Sequence, residues 1–203
     1  MTRTLSLSPT IAAVVFACML SAGTARAQTP TRVRGTIDHL SGDVLVVTTK
    51  GGDSVSVTLT DPVRVVAEFK ASVSDIKPGS SVGIASLPGP DGALRAVGVI
   101  VLPPGQSITP VNGPWDLTPS SRMTNGSVGT VVLQNGRVLT VNYGTGEQKI
   151  MVPDDVPVVT PKPGERTMLT PGAHVVVFAR KADDGKLSAA TVAVGEDGAV
   201  PPM

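Results

Sequence analysis

The two halves of this chain repeat each other, and a repeat of this length restricts the fold more than any single motif does. At an offset of 94, Gly35-Thr36 matches Gly129-Thr130, Gly42 matches Gly136, Val44-Leu45 matches Val138-Leu139 and Val47 matches Val141. After a one-residue slip between Thr48 and Asp53 the offset becomes 93. Asp61 then meets Asp154, Val65-Val66 meet Val158-Val159, Pro78-Gly79 meet Pro171-Gly172, and Asp91-Gly92-x-Leu94-x-Ala96 meets Asp184-Gly185-x-Leu187-x-Ala189. Self-similarity at a fixed offset marks duplicated structural units. One unit is expected at 32–102 and a second at 127–195.

Inside each copy the hydrophobic period is two. Val55, Val57 and Leu59 alternate with Ser54, Ser56, Thr58 and Thr60, and Val97, Val99 and Val101 alternate around Gly98 and Ile100, the pattern of half-buried strands. Turn signals divide them: Ser41-Gly42-Asp43, Gly51-Gly52-Asp53, Pro78-Gly79 and Pro90-Asp91-Gly92, echoed by Asn135-Gly136, Pro171-Gly172 and Asp184-Gly185. Ser72 to Ile76 reads as one helical turn with Ser72 as N-cap and Asp75 completing a capping box; Pro161-Lys162-Pro163-Gly164 in the second copy implies a shorter one. The expected fold is all-β: two tandem, small, five- to six-stranded OB-like β-barrels after an N-terminal signal peptide. Barrel closure removes exposed edges in units of about 70 residues, and a small sandwich is the other architecture compatible with the pattern.

Residues 1–27 read as an address. Arg3 precedes the apolar run Ile11 to Leu20, and Ala25-Arg26-Ala27 offers a small-x-small cleavage site, which leaves Gln28 first. Lipid attachment at Cys18 is the alternative, against which bulky Phe16 and the following Met19-Leu20 argue. Cleavage removes Arg3, Arg26 and Cys18 but no acid, so 17 basic residues become 15 against 16 acidic ones. A periplasmic or secreted protein without a thiol is expected, which excludes disulfides, thiolate catalysis and cysteine-held metals. The near-neutral charge gives no electrostatic case for a polyanion, and no later stretch is apolar enough to span a membrane.

The succession Gly35 to Val47 (Gly-Thr-Ile, then Gly-Asp-Val-Leu-Val-Val), with Asp75 to Gly79 and Pro90 to Ala96, resembles an exported bacterial domain-of-unknown-function family with small barrel-like repeats. Pro114 to Leu117, Met123 to Asn125 and Pro201-Pro202-Met203 extend the resemblance over almost the whole mature chain. It implies an architecture and brings no catalytic residues. Members of that family are sometimes automatically labelled metal transporter permeases, a label at odds with a chain that lacks a membrane span.

Between the copies, 103–126 is rich in Pro, Gly, Ser and Thr, the composition of a connector. Trp115, the single tryptophan, stands out in it, and packing onto a barrel or into the cleft between barrels is its expected role. Residues 196–203 form a C-terminal tail.

Chemistry-bearing residues are sparse. His39 and His174 are far apart and not equivalent, so no zinc set forms. Met123, Met151, Met168 and Met203 lack the tight spacing of a soft-metal site. Gly79-Ser80-Ser81-Val82-Gly83 matches the nucleophile-elbow pattern, but a turn precedes it and a β run follows, where an elbow needs strand then helix. Gly144-Thr145-Gly146 is a hairpin loop. Asp154-Asp155 and Asp183-Asp184 sit at turns. Aromatics beside basic grooves are too few for single-stranded nucleic acid: Phe69 in one copy, Tyr143 and Phe178 in the other. The reading is therefore a non-catalytic binding or structural module, with no catalytic, cofactor-binding or metal residues and no cofactor. Its partner is a protein, a glycan or a small ligand, without nucleic acid. A metal-handling accessory protein, or a hydrolase whose site forms only in three dimensions, is the alternative.

Overall fold

Where Val or Leu alternates with Ser or Thr, as at Val55, Val57 and Leu59, the chain forms a strand with its branched residues on one face. The computed structural model describes residues 29–133 and 137–202; the expected leader with Cys18, the Asn135-Gly136 turn and Met203 lie outside the described residues. β1 (Thr29–Ser41), β2 (Val44–Thr49) and β3 (Ser54–Lys70) form an antiparallel meander. β4 (Ser81–Pro88) and β5 (Leu94–Val101) follow as a hairpin, and β6 (Val111–Pro114) lies in the connector. The second half has a meander of β7 (Arg122–Val132), β8 (Arg137–Asn142) and β9 (Glu147–Val152). It continues through β10 (Val158–Pro163) into the hairpin of β11 (His174–Lys181) and β12 (Leu187–Gly195).

The hairpins change partners between the halves. β1 pairs with β11 from Thr29↔Lys181 to Thr36↔His174. β12 then closes on β3 in parallel, from Ser188↔Thr58 to Gly195↔Glu68, so β12-β11-β1-β2-β3 is a closed five-strand barrel. Val33, Leu45, Val57, Val177 and Val192 are in its core. The hairpin β4–β5 pairs instead with β7, and a second ring, β5-β4-β7-β8-β9, closes through Leu94↔Ile150 and Arg95↔Met151 around Val82, Ile84, Leu139, Val141 and Ile150. The expected tandem barrels at 32–102 and 127–195 are thus corrected: each ring joins the meander of one half to the hairpin of the other.

The length of β3 supplies a physical reason. Seventeen residues of strand extend about 55 Å at roughly 3.3 Å per residue, which carries the chain beyond its own ring before the hairpin begins. Its outer end pairs antiparallel with β10, from Lys70↔Val159 to Val66↔Pro163. Glu68 faces Pro161 in that ladder, and these residues are 93 apart, the offset that also relates the two hairpins. A pseudo-twofold axis therefore passes between Glu68 and Pro161.

Short 3₁₀ turns plug the rings. Val73–Asp75 has the expected cap: Ser72 Oγ accepts from the Ser74 amide at 3.1 Å, and Asp75 accepts from the Ser72 amide at 2.8 Å. Val73 and Ile76 close the second ring. The turn in the second half is not shorter, as expected from Pro161 to Gly164; it is a three-residue turn, Arg166–Met168, placed after that segment, and Met168 and Leu169 close the first ring.

The structure also moves the repeat register in β1 by three residues. A Cβ added to Gly35 would lie 2.1 Å from the Thr48 carbonyl oxygen, and one added to Gly126 would lie 2.1 Å from that of Asn142. Thr48 and Asn142 are equivalent in the second strands, so Gly126, not Gly129, is the counterpart of Gly35. The three extra residues lie in the β7–β8 connection.

Because neither half contains a ring, residues 28–106 and 107–203 expressed separately should not give cooperatively melting monomers. Mixing them should restore a one-to-one complex with β-type circular dichroism. Independent monomeric melting of each half would contradict the exchanged pairing.

Candidate functional site

Local sequence makes the connector stick to the second ring. β6 adds to β7 from Val111↔Asn125 to Pro114↔Arg122, and the Trp115 amide continues this ladder by donating to the Ser121 carbonyl at 2.8 Å. Asn112 Oδ1 accepts from Arg122 and from Thr124, each at 3.3 Å. Trp115 and Leu117 are thereby laid over Ala85 and Met123, with Val97 and Ile100 beside them, covering an outer face of the second ring.

The opposite side of Trp115 meets the first ring. The Arg32 guanidinium lies 3.8 Å from the indole centroid, a cation–π contact of about 0.5–2 kcal/mol. Asp116 accepts from Arg32 at 3.2 Å and from Arg34 at 2.6 Å. Burial pushes the Asp116 carboxyl up, but the hydrogen bonds and charges of Arg34 and Arg32 outweigh it and hold its pKa below the usual value. Trp115 is half-buried in the cleft between the rings.

The pseudo-twofold axis relates this covered face to an open one. By strand pairing, Met123 corresponds to Arg32, Ala85 to Phe178 and Val97 to Ala190. Among the described residues no second connector lies over the latter set, and Phe178 is 36% exposed. A cavity of about 460 Å³ opens there, lined by Arg32, Phe178, Arg180, Thr60, Ser188 and Thr191 among others. Arg32 and Thr191 both lie opposite Phe178, and Ser188 lies opposite Arg180, so their side chains share the barrel's outer face. Arg32 also sits 5.7 Å from the Phe178 centroid. Arg180 has no hydrogen-bond or ion-pair partner among the described residues. Larger troughs of about 570 and 610 Å³ run beside the connector at Leu102 and Gln106, with Pro103, Pro104 and Gly105 in one wall; neither has an aromatic ring in its lining.

The residues singled out from sequence are dispersed. His39 contacts Asp38 at 2.9 Å on the surface, whereas His174 contacts Thr36 at 3.3 Å. Met123 is buried under the connector, Met168 plugs the first ring and Met151 sulfur accepts from Arg95 at 3.4 Å. Ser81 begins β4, and its hydroxyl accepts from the Ile108 amide at 3.2 Å, which pins the connector. Asp184 at its turn pairs with Lys186 at 2.9 Å. Phe69 lies under Lys162 at 4.6 Å, and the Tyr143 amide closes its hairpin on Gly146. No group of three or more His, Cys, Asp or Glu that could hold a metal occurs among the described residues, and no described helix is long and apolar enough to cross a membrane. No family model, curated protein or solved structure matches the chain.

Sequence reasoning missed Glu68. It is 3% exposed, its Oε2 has no partner, and burial pushes its carboxyl up to about 7. Glu68 lies three residues after Val65, which is in the first ring's core, so alternation alone places the glutamate on the opposite face, toward solvent. The seam with β10 and β12 buries it instead.

Because the folded state holds the Glu68 proton more tightly than the unfolded chain, its stabilising effect is complete below the ordinary value of 4.5 and is lost as pH rises to about 7. The linkage amounts to about 3 kcal/mol at most. Glu68→Gln should therefore flatten the decline in melting temperature between about pH 5 and pH 8 and stabilise the protein at the upper end. An unchanged slope would show that Glu68 does not titrate in this interval.

Proposed function

We propose that this chain is an exported, non-catalytic binding module that recognises its partner on the outer face of the closed barrel around Phe178 and Arg180. The observation that carries the reading is the inequality of two pseudosymmetric faces. One is covered by the chain's own Trp115 and Leu117, while the other, among the described residues, is open and bears an exposed ring, a cation without a partner and several hydroxyl side chains. The scaffold does not require those groups, since the matching positions on the second ring carry Ala85, Met123 and Leu87. Concave sites with an apolar floor and a few converging polar groups are the usual form of ligand pockets, and about 460 Å³ is within their range.

Export is supported by the Ala25-Arg26-Ala27 site, which also suits the exported domain-of-unknown-function family that the motifs resemble. The other polar side chains argue for scaffolding. Arg166 donates to the Gly42 carbonyl and to Asp43, while Arg137 donates to the Val73 carbonyl.

Immobilised mature protein should retain material from an envelope extract that is lost with Phe178→Ala or Arg180→Ala, both with unchanged circular dichroism, and the material should be released chemically unaltered. Retention insensitive to both substitutions, or conversion of the retained material, would overturn the reading.

A further inference from the structure

We infer that the ligand of the Phe178 face is a carboxylated sugar ring, a uronate unit of an acidic glycan; this rests on the binding reading above and deepens it. The argument begins with what the cavity offers. Phe178 presents a half-open aromatic face, and such a face attracts the weakly positive C–H edge of a flat ring through its quadrupole. Around it stand the hydroxyls of Thr60, Ser188 and Thr191. Each hydroxyl both donates and accepts, which complements a polyol whose own hydroxyls do the same. A purely aromatic or aliphatic acid would leave these groups without partners.

The charge of the site decides between a neutral and an acidic sugar. Arg32 lines the cavity, but its guanidinium is already engaged, sharing the Asp116 carboxylate with Arg34 and lying against Trp115. Arg180 has no such partner among the described residues, and its planar fork fits a carboxylate with two parallel hydrogen bonds. The cavity volume of about 460 Å³ suits one or two sugar rings rather than a folded partner. Arg32, fixed by the inter-ring clamp, forms a rigid wall of this site, so the connector contributes to recognition through position alone.

The test uses the mature chain and calorimetric titration with a galacturonate trisaccharide, its neutral galactose counterpart and inorganic phosphate. Binding of the acidic trisaccharide is expected to be at least about tenfold tighter than of the neutral one, and to weaken with salt. Arg180→Ala should abolish that preference, with Arg180→Lys intermediate; Phe178→Ala should weaken both sugars; Lys149→Ala, an exposed charge on the other ring, should change nothing. Equal affinity for both sugars, or phosphate competing with undiminished sugar-independent binding, would overturn the assignment. If neither sugar binds while envelope material is still lost with Phe178→Ala, the uronate assignment fails and the binding face stands. If that retention is also insensitive to Phe178, both fail.

Discussion

The antiparallel ladder between β3 and β10 is where two rings become one molecule, and the other contacts are arranged around it. Glu68 and Pro161 meet there as counterparts across the pseudo-twofold axis. Proline has no amide proton to give a neighbouring strand, but the Glu68 carbonyl accepts from the Glu196 amide at 2.9 Å, so that carbonyl is not orphaned. The two halves differ here for a sequence reason. β3 runs without interruption, whereas its counterpart is split into β9 and β10 by Pro153 to Pro157. The tail reinforces the seam: Ala199 is 1% exposed and its carbonyl lies against Gly195, while Pro202 lies against Gly98 of the other ring. A side chain at either glycine would displace it.

Contacts between each ring and the turn that plugs it show the same symmetry satisfied by different residues. Arg166, next to the plug of the first ring, holds Gly42 and Asp43. In the second ring Arg137, at the position equivalent to Asp43, reaches back to Val73, the counterpart of Arg166. The cation has changed sides and the contact remains. Against this background the Trp115 connector has no counterpart among the described residues. It breaks the symmetry of the described residues by occupying one face and leaving its equivalent open, so the two faces differ.

Much of this was legible in the chain. The alternation around Val55 to Leu59 specified a strand and its inward face, and the Ser72–Asp75 cap is as the spacing implies; in β5 Val99 and Val101 point inward, but a register shift turns Val97 to the outer face with Ile100. Partner choice was not legible. Both hairpins have the same pattern of valines, so alternation fixes a buried face without saying which meander it will close. The register of β1 misled because Gly-Thr recurs as letters at Gly129-Thr130, while the steric demand for glycine beside a carbonyl belongs to Gly126. Phe178 was read as one of too few aromatics for nucleic acid. Its significance appears only when the fold sets it beside Arg180 and opposite the covered Ala85 face.

The most direct measurement of the exchanged pairing is a disulfide comparison in a Cys18→Ser background. Thr36 is the cross-strand neighbour of His174, whereas barrels formed separately by each half would place it beside Ser81, the equivalent of His174. Cysteines can bridge only when their Cα atoms lie within about 7 Å. The account requires Thr36→Cys with His174→Cys to form an intramolecular disulfide in the folded protein, and Thr36→Cys with Ser81→Cys to remain reduced. Ready bridging of the second pair and not the first would contradict it.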